Sequence, residues 1–124
     1  MIVNAATAAD QTVWQQTVTV APGTDYTFTY WLSSSYSTNL AQLQCSFNGS
    51  TVGTATAPGT TGVWQEVSYN WNSGGSSTAT IRLVDLTQQP GGDDFAIDDI
   101  SLVPEPATLL LLGLGGLFLR KRNL

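Results

Sequence analysis

The sequence predicts an all-β protein: an antiparallel β-sandwich followed by a short apolar tail. Three observations carry this expectation. Apolar residues between positions 11 and 103 recur at every second position, the period of a half-buried strand. Clusters of Gly, Pro, Asn and Ser interrupt these runs at regular intervals. No segment of this region carries the apolar stripe of an amphipathic helix.

The elements follow in order. Residues 11–20 alternate, with Trp14, Gln16, Val18 and Val20 on one side, and Ala21-Pro22-Gly23-Thr24 makes a turn. Residues 25–33 alternate cleanly, Tyr26, Phe28, Tyr30 and Leu32 inward and Thr27, Thr29 and Trp31 outward. Residues 33–39 form a polar loop carrying Tyr36. Residues 40–48 form a strand, and Asn48-Gly49 is a hairpin signal into 50–55. A Pro/Gly loop spans 57–62. Residues 64–72 place Val67, Tyr69 and Trp71 together, and a Gly/Ser turn spans 73–77. Residues 78–86 put Ala79, Ile81 and Leu83 on one face. After a loop over 88–93, residues 94–103 form the last strand. Phe95 and Ile97 point inward there, and so do Ile100 and Leu102, so parity breaks at Asp98-Asp99; a bulge would repair it. The total is about seven strands.

Charge is sparse. Residues 1–103 hold one cation, Arg82, and eight acids, net −7, which disfavours nucleic acid as a partner. Thr, Ser, Gly, Asn and Gln fill the surface in place of charges, as in a secreted β-protein. Cys45 is the sole cysteine, so no intramolecular disulfide forms, and its alternation with Leu43 and Phe47 makes it a small core residue. There is no histidine, which removes Ser-His-Asp and Cys-His catalysis and histidine metal ligation. No phosphate-binding or dinucleotide glycine pattern is present. The acids offer no persuasive pair for glycoside hydrolysis.

The last 21 residues have another character. Pro104-Glu105-Pro106 precedes an apolar segment, 107–119, and Arg120, Lys121 and Arg122 follow it. As a helix at about 1.5 Å per residue the apolar segment reaches about 20 Å, short of the roughly 30 Å hydrocarbon core. Its leucines favour a short hydrophobic helix, which the glycines weaken and the prolines keep from running back into the domain. The three cations snorkel to headgroups and stay cytoplasmic, which leaves the rest of the chain facing outward. This order resembles the PEP-CTERM sorting signal of Gram-negative bacteria. The resemblance implies an exported protein, inserted in the inner membrane by the tail and processed near Pro104, Glu105 and Pro106 by exosortase. Cell-surface or matrix location, and a link to exopolysaccharide, follow from it. The division is therefore a sandwich domain over 1–103 and a sorting tail over 104–124. Residues 1–10 show neither a basic n-region nor an apolar h-region, so the domain is expected to be N-terminally incomplete.

The body resembles a family as well. Trp14-Gln15-Gln16-Thr17-Val18, Ala21-Pro22-Gly23-Thr24-Asp25-Tyr26, Phe47-Asn48-Gly49, Trp64-Gln65-Glu66-Val67, the strand 80–83 and Phe95-Ala96-Ile97-Asp98-Asp99-Ile100 occur in the order found in galactose-binding-like jelly rolls of carbohydrate-binding modules. Such domains begin with one or two strands before the Gln-rich one, so a first strand is missing and a sheet edge is left open.

Two sites are legible. A bulge beside carboxylates suits a hard cation such as Ca²⁺, and in the resembling modules an Asp at this point ligates structural calcium. Asp98 is the first choice and Asp99 the second; a solvated acidic strand end is the other reading. Sugar binding needs an exposed ring with flanking hydrogen bonders. Trp31 breaks the Thr/Ser pattern of an outward face, and Tyr36 follows it in a loop; packing under a loop or against the absent N-terminal region is the alternative for Trp31. Trp14, Trp64 and Trp71 read as core or sheet-edge packing. Asn48 and Ser50 form a glycosylation sequon, though turn chemistry explains Asn48 better. The expected function is a non-catalytic envelope or extracellular-matrix protein that binds acidic or neutral polysaccharide. The alternatives are a structural or adhesive matrix protein without glycan affinity and, behind it, a glycan-acting enzyme.

Overall fold

The alternation in residues 25–34 organises the molecule. In the computed structural model, which describes residues 1–3, 10–87, 92 and 94–105, this segment is the strand through which one whole sheet is paired. The strands are β1 (Ile2–Val3), β2 (Gln11–Thr19), β3 (Asp25–Ser34), β4 (Gln42–Phe47), β5 (Ser50–Thr56), β6 (Trp64–Asn72), β7 (Thr78–Asp85) and β8 (Phe95–Pro104). They form two antiparallel four-stranded sheets, ordered β1-β8-β3-β6 and β2-β7-β4-β5. The all-β sandwich read from the sequence is the fold. The apolar segment 107–119, Pro106 and the cluster Arg120, Lys121 and Arg122 lie outside the described residues.

The core is what the two-residue period requires. Tyr26, Phe28, Tyr30 and Leu32 of β3 face Leu43, Cys45 and Phe47 of β4 and Ala79, Ile81 and Leu83 of β7, all buried. Phe47 lies at the centre. Its ring stacks on Trp71 at 4.6 Å and meets Phe28 edge-on at 5.6 Å, both favourable aromatic geometries. Trp14 stacks on Phe28 from the β2 side at 6.2 Å. Trp14 and Trp71 are therefore packing residues, as their strand positions imply.

Turns follow local chemistry. Asn48 and Gly49 both adopt positive φ, 50° and 84°, the conformation of a tight hairpin turn that matches strand twist. The Asn48 side chain is tied across to β7: its amide donates to the Thr78 carbonyl at 3.1 Å and its Oδ1 accepts from the Thr80 N–H at 2.8 Å. This is the turn role expected for Asn48. Ser73 joins two turns, accepting from the Thr24 N–H at 2.9 Å and donating to the Ala21 carbonyl.

Two features depart from the sequence reading. Among the described residues there are eight strands rather than about seven, because Ile2 and Val3 pair with Ala96 and Phe95. Two residues show no periodicity; β8 makes them a strand by offering its edge. Among the described residues β1 covers only that end of β8, and no strand pairs with the outer edge of 98–103. There the sandwich is parted. A groove of about 360 Å³ opens between β2 and β8, lined by Trp14, Val18, Tyr26, Ile81, Ile100 and Leu102 among others. The second departure is Trp64, which is 45% exposed rather than packed. Its parity explains this, since Val67, Tyr69 and Trp71 point inward and positions 64, 66 and 68 point out.

Candidate functional site

The outward face of the β1-β8-β3-β6 sheet is built by β3 and its neighbours. Because β3 pairs with β6 on one side and β8 on the other, each outward residue of β3 sits in a cross-strand row. Thr27 lies between Asn70 and Val103, and Thr29 between Ser68 and Ser101. Trp31 lies between Glu66 and Asp98. Ser33 lies between Trp64 and Ala96, and Ile2 extends that row through its pairing with Ala96. Directly opposed residues in such rows have Cβ atoms about 4.5–5.5 Å apart, close enough to act on one ligand.

The rows divide the face in two. The Thr27 and Thr29 rows are hydroxyl- and amide-rich. The Trp31 and Ser33 rows carry Trp31 at 36% exposure, together with exposed Trp64 and Ile2. Val63, next to Trp64, is exposed too. Most of the large exposed apolar side chains of the described residues thus gather at the β3 C-terminal end. Trp31 has the outward parity of its strand and is 36% exposed. The loop that crosses the strand end binds further on, through Gly62 N–H to the Ser34 carbonyl at 3.1 Å.

Tyr36 is exposed as well, but on the loop after β3 and outside the Trp31 row. That loop is held by Ser35 N–H to the Asp94 carbonyl at 2.9 Å. Gly92 packs against it with φ of 103°, where any Cβ would strike the Thr38 carbonyl group. Trp64 is the site residue that sequence reasoning missed; the outward parity of even positions in β6 was the signal for it.

Asp98 and Asp99 occupy the predicted bulge. Between the pairs Trp31↔Asp98 and Thr29↔Ser101, β8 advances one residue more than β3. The extra residue adopts a left-handed conformation, φ of 51° at Asp99, and Asp98 Oδ1 accepts the Asp99 N–H at 2.9 Å. Both carboxylates are exposed. Among the described residues, no third Asp, Glu or Cys joins them to form a potential metal cluster. The pair alone supplies fewer oxygens than the roughly six to eight that calcium takes.

Buried groups elsewhere are inert. The Cys45 thiol is fully buried, and desolvation pushes its pKa up to about 12. Burial likewise raises Tyr30 and Tyr69, whose phenols interact with each other without closing a hydrogen bond of normal geometry among the described residues.

Known proteins share both parts of the chain. Residues 102–122 match the PEP-CTERM protein-sorting motif, so the C-terminal segment is a sorting signal. The fold is shared with carbohydrate-binding modules of jelly-roll type. It superposes on the C-terminal domain of EclA, described as a sugar-binding protein, with a TM-score of 0.67 at 17% identity, covering 76% of this chain and 68% of that one. A family 35 carbohydrate-binding module from an environmental isolate gives 0.57 at 17% identity, over 84% and 77% of the two chains. An enzyme shares the fold too: a Stig cyclase from Fischerella sp. TAU, at 0.55 and 15% identity, over 74% and 55%. No curated protein sequence matches the chain significantly. The chain thus carries a PEP-CTERM sorting motif behind a sandwich with the fold of carbohydrate-binding modules, and the motif indicates exosortase-dependent sorting to the cell surface.

Proposed function

We propose that this is a non-catalytic surface or matrix protein that holds polysaccharide on the outward face around Trp31. The observation that carries the reading is Trp31 itself: an outward indole on a central strand of the sheet, 36% exposed, with the hydroxyls of Thr29, Ser68 and Ser101 in the adjoining row. Sugar C–H faces pack on such rings while hydroxyls and amides fix orientation. Trp64 stands diagonally across from Trp31 and widens the platform. The tail delivers this face to where polysaccharide is. It inserts in the inner membrane with the basic cluster inside, and exosortase cleaves near Glu105. Support for that step comes from the end of β8. Pro104 still pairs with Tyr26, and Glu105 N–H donates to the Asp25 carbonyl at 3.0 Å, so the sheet carries the chain into the motif.

The test is affinity electrophoresis and glycan-array binding of folded full-length protein, with Trp31→Ala alongside. Binding that disappears in the variant, with its fold intact by circular dichroism, supports the reading. A folded protein that retains no glycan from a broad panel overturns it and leaves a structural matrix role.

A further inference from the structure

The two carboxylates beside Trp31 define which polysaccharide the face takes. Glu66 and Asp98 are its direct neighbours on either side, one from β6 and one from β8, and both are exposed. They share its outward parity, so all three side chains leave the sheet on the same side. Neither is a structural ion pair: Arg82, the sole cationic side chain among the described residues, belongs to the other sheet, where its Nε donates to Thr12 Oγ1 at 2.6 Å. The ring face between the carboxylates is itself the negative side of a quadrupole.

From this geometry we infer that the Trp31 face selects a cationic amino-sugar polymer, one with unacylated amines, over neutral and uronic-acid glycans. The inference rests on the proposed glycan-binding role of the same face. A glucosamine unit stacked on Trp31 presents C–H groups to the indole and an ammonium at its rim, within reach of Glu66 or Asp98. A neutral sugar gains only the stacking. A uronic acid brings a third negative charge to a row that already has two, in a domain of net charge −7 over residues 1–103. The order of affinities is therefore amino-sugar, then neutral, then acidic. The acidic polysaccharide admitted as a ligand from sequence is the one this charge pattern disfavours.

The experiment is isothermal titration of the full-length protein with three defined probes: a glucosamine hexamer, an N-acetylglucosamine hexamer and an oligogalacturonate. At low salt the glucosamine hexamer is expected to bind at least about tenfold more tightly than its acetylated form, two rim charge pairs together supplying that difference. Raising the salt narrows the gap, because exposed pairs are screened. The double variant Glu66→Gln, Asp98→Asn should lose the preference for the glucosamine hexamer over its acetylated form, with the bulge kept because the amide oxygen at position 98 still accepts from the Asp99 N–H. Asp25→Asn, remote at the start of β3, should retain the preference, which separates a local site from general attraction of a polycation to an acidic protein. Equal binding of both hexamers, lost in Trp31→Ala, overturns the charge selection and leaves the glycan-binding face standing. Binding of no probe overturns both. A preference that survives in the double variant, or falls equally in Asp25→Asn, also overturns the inference.

Discussion

Tyr69 of β6 lays the edge of its ring on the backbone of Gly53 in β5, so closely that a Cβ at Gly53 would overlap it, with Cδ1 only 2.9 Å away. This contact joins the two sheets on the side opposite the open groove. Gly53 pairs with Cys45 beside a register shift in β4–β5, so a glycine there serves the approach and not a turn. Gly53→Ala is expected to destabilise the domain by about 1–3 kcal/mol, the range for overpacking a filled site. Urea denaturation of the two proteins measures it, and an unchanged midpoint would show that Tyr69 moves aside freely.

Removing the buried phenol oxygens should do no harm. The Tyr30 and Tyr69 hydroxyls interact with each other but close no hydrogen bond of normal geometry among the described residues, so their desolvation is only partly compensated. Tyr69→Phe and Tyr30→Phe keep the ring and remove that penalty. Each is expected to leave stability unchanged or to raise it by up to about 1 kcal/mol. A clear loss in thermal melts would mean that the hydroxyl is satisfied in solution.

The bulge at Asp99 makes a prediction that separates two substitutions. Its φ of 51° is tolerated by Asp, free for Gly and strained for a β-branched residue. Asp99→Gly should leave the melting temperature near that of the parent. Asp99→Val should lower stability by about 1–2 kcal/mol. Equal effects of the two would argue that the bulge relaxes when the residue changes.

Asp85 sets a pH dependence. Its carboxyl is buried at 4% exposure and desolvation raises its pKa, partly offset by the Thr87 N–H, which donates to Oδ1 at 2.9 Å. An acid whose folded pKa lies above its unfolded value holds its proton longer in the folded state. Its contribution to stability is therefore greatest at low pH and falls as pH rises from the unfolded value, 3.8, through the higher folded value. Asp85→Asn removes that fall while keeping an acceptor for Thr87. The difference in unfolding free energy between variant and parent should grow over this window and then level off. A difference independent of pH would locate the effect elsewhere.

Cys45 should resist alkylation. With the thiol buried and its pKa raised to about 12, thiolate is scarce at neutral pH. Iodoacetamide at about pH 8, near the ordinary thiol pKa, should label native protein far more slowly than protein in urea. Comparable rates would show that the β4 region opens readily.

The sequence determined much of this protein. The inward set of β3, the Asn48-Gly49 turn, the burial of Cys45, the bulge at Asp98-Asp99 and the outward position of Trp31 all follow from two-residue alternation and local backbone chemistry, which short windows contain. The sorting motif is equally local. The tertiary structure alone decided what stands next to what. β1 exists because β8 offers an edge to Ile2 and Val3. Trp31 is flanked by Glu66 and Asp98 only because β6 and β8, distant in sequence, pair on either side of β3 in one register. Alternation tells which face a residue occupies. Its neighbours on that face are set by strand order and register, which are non-local and which no single segment encodes.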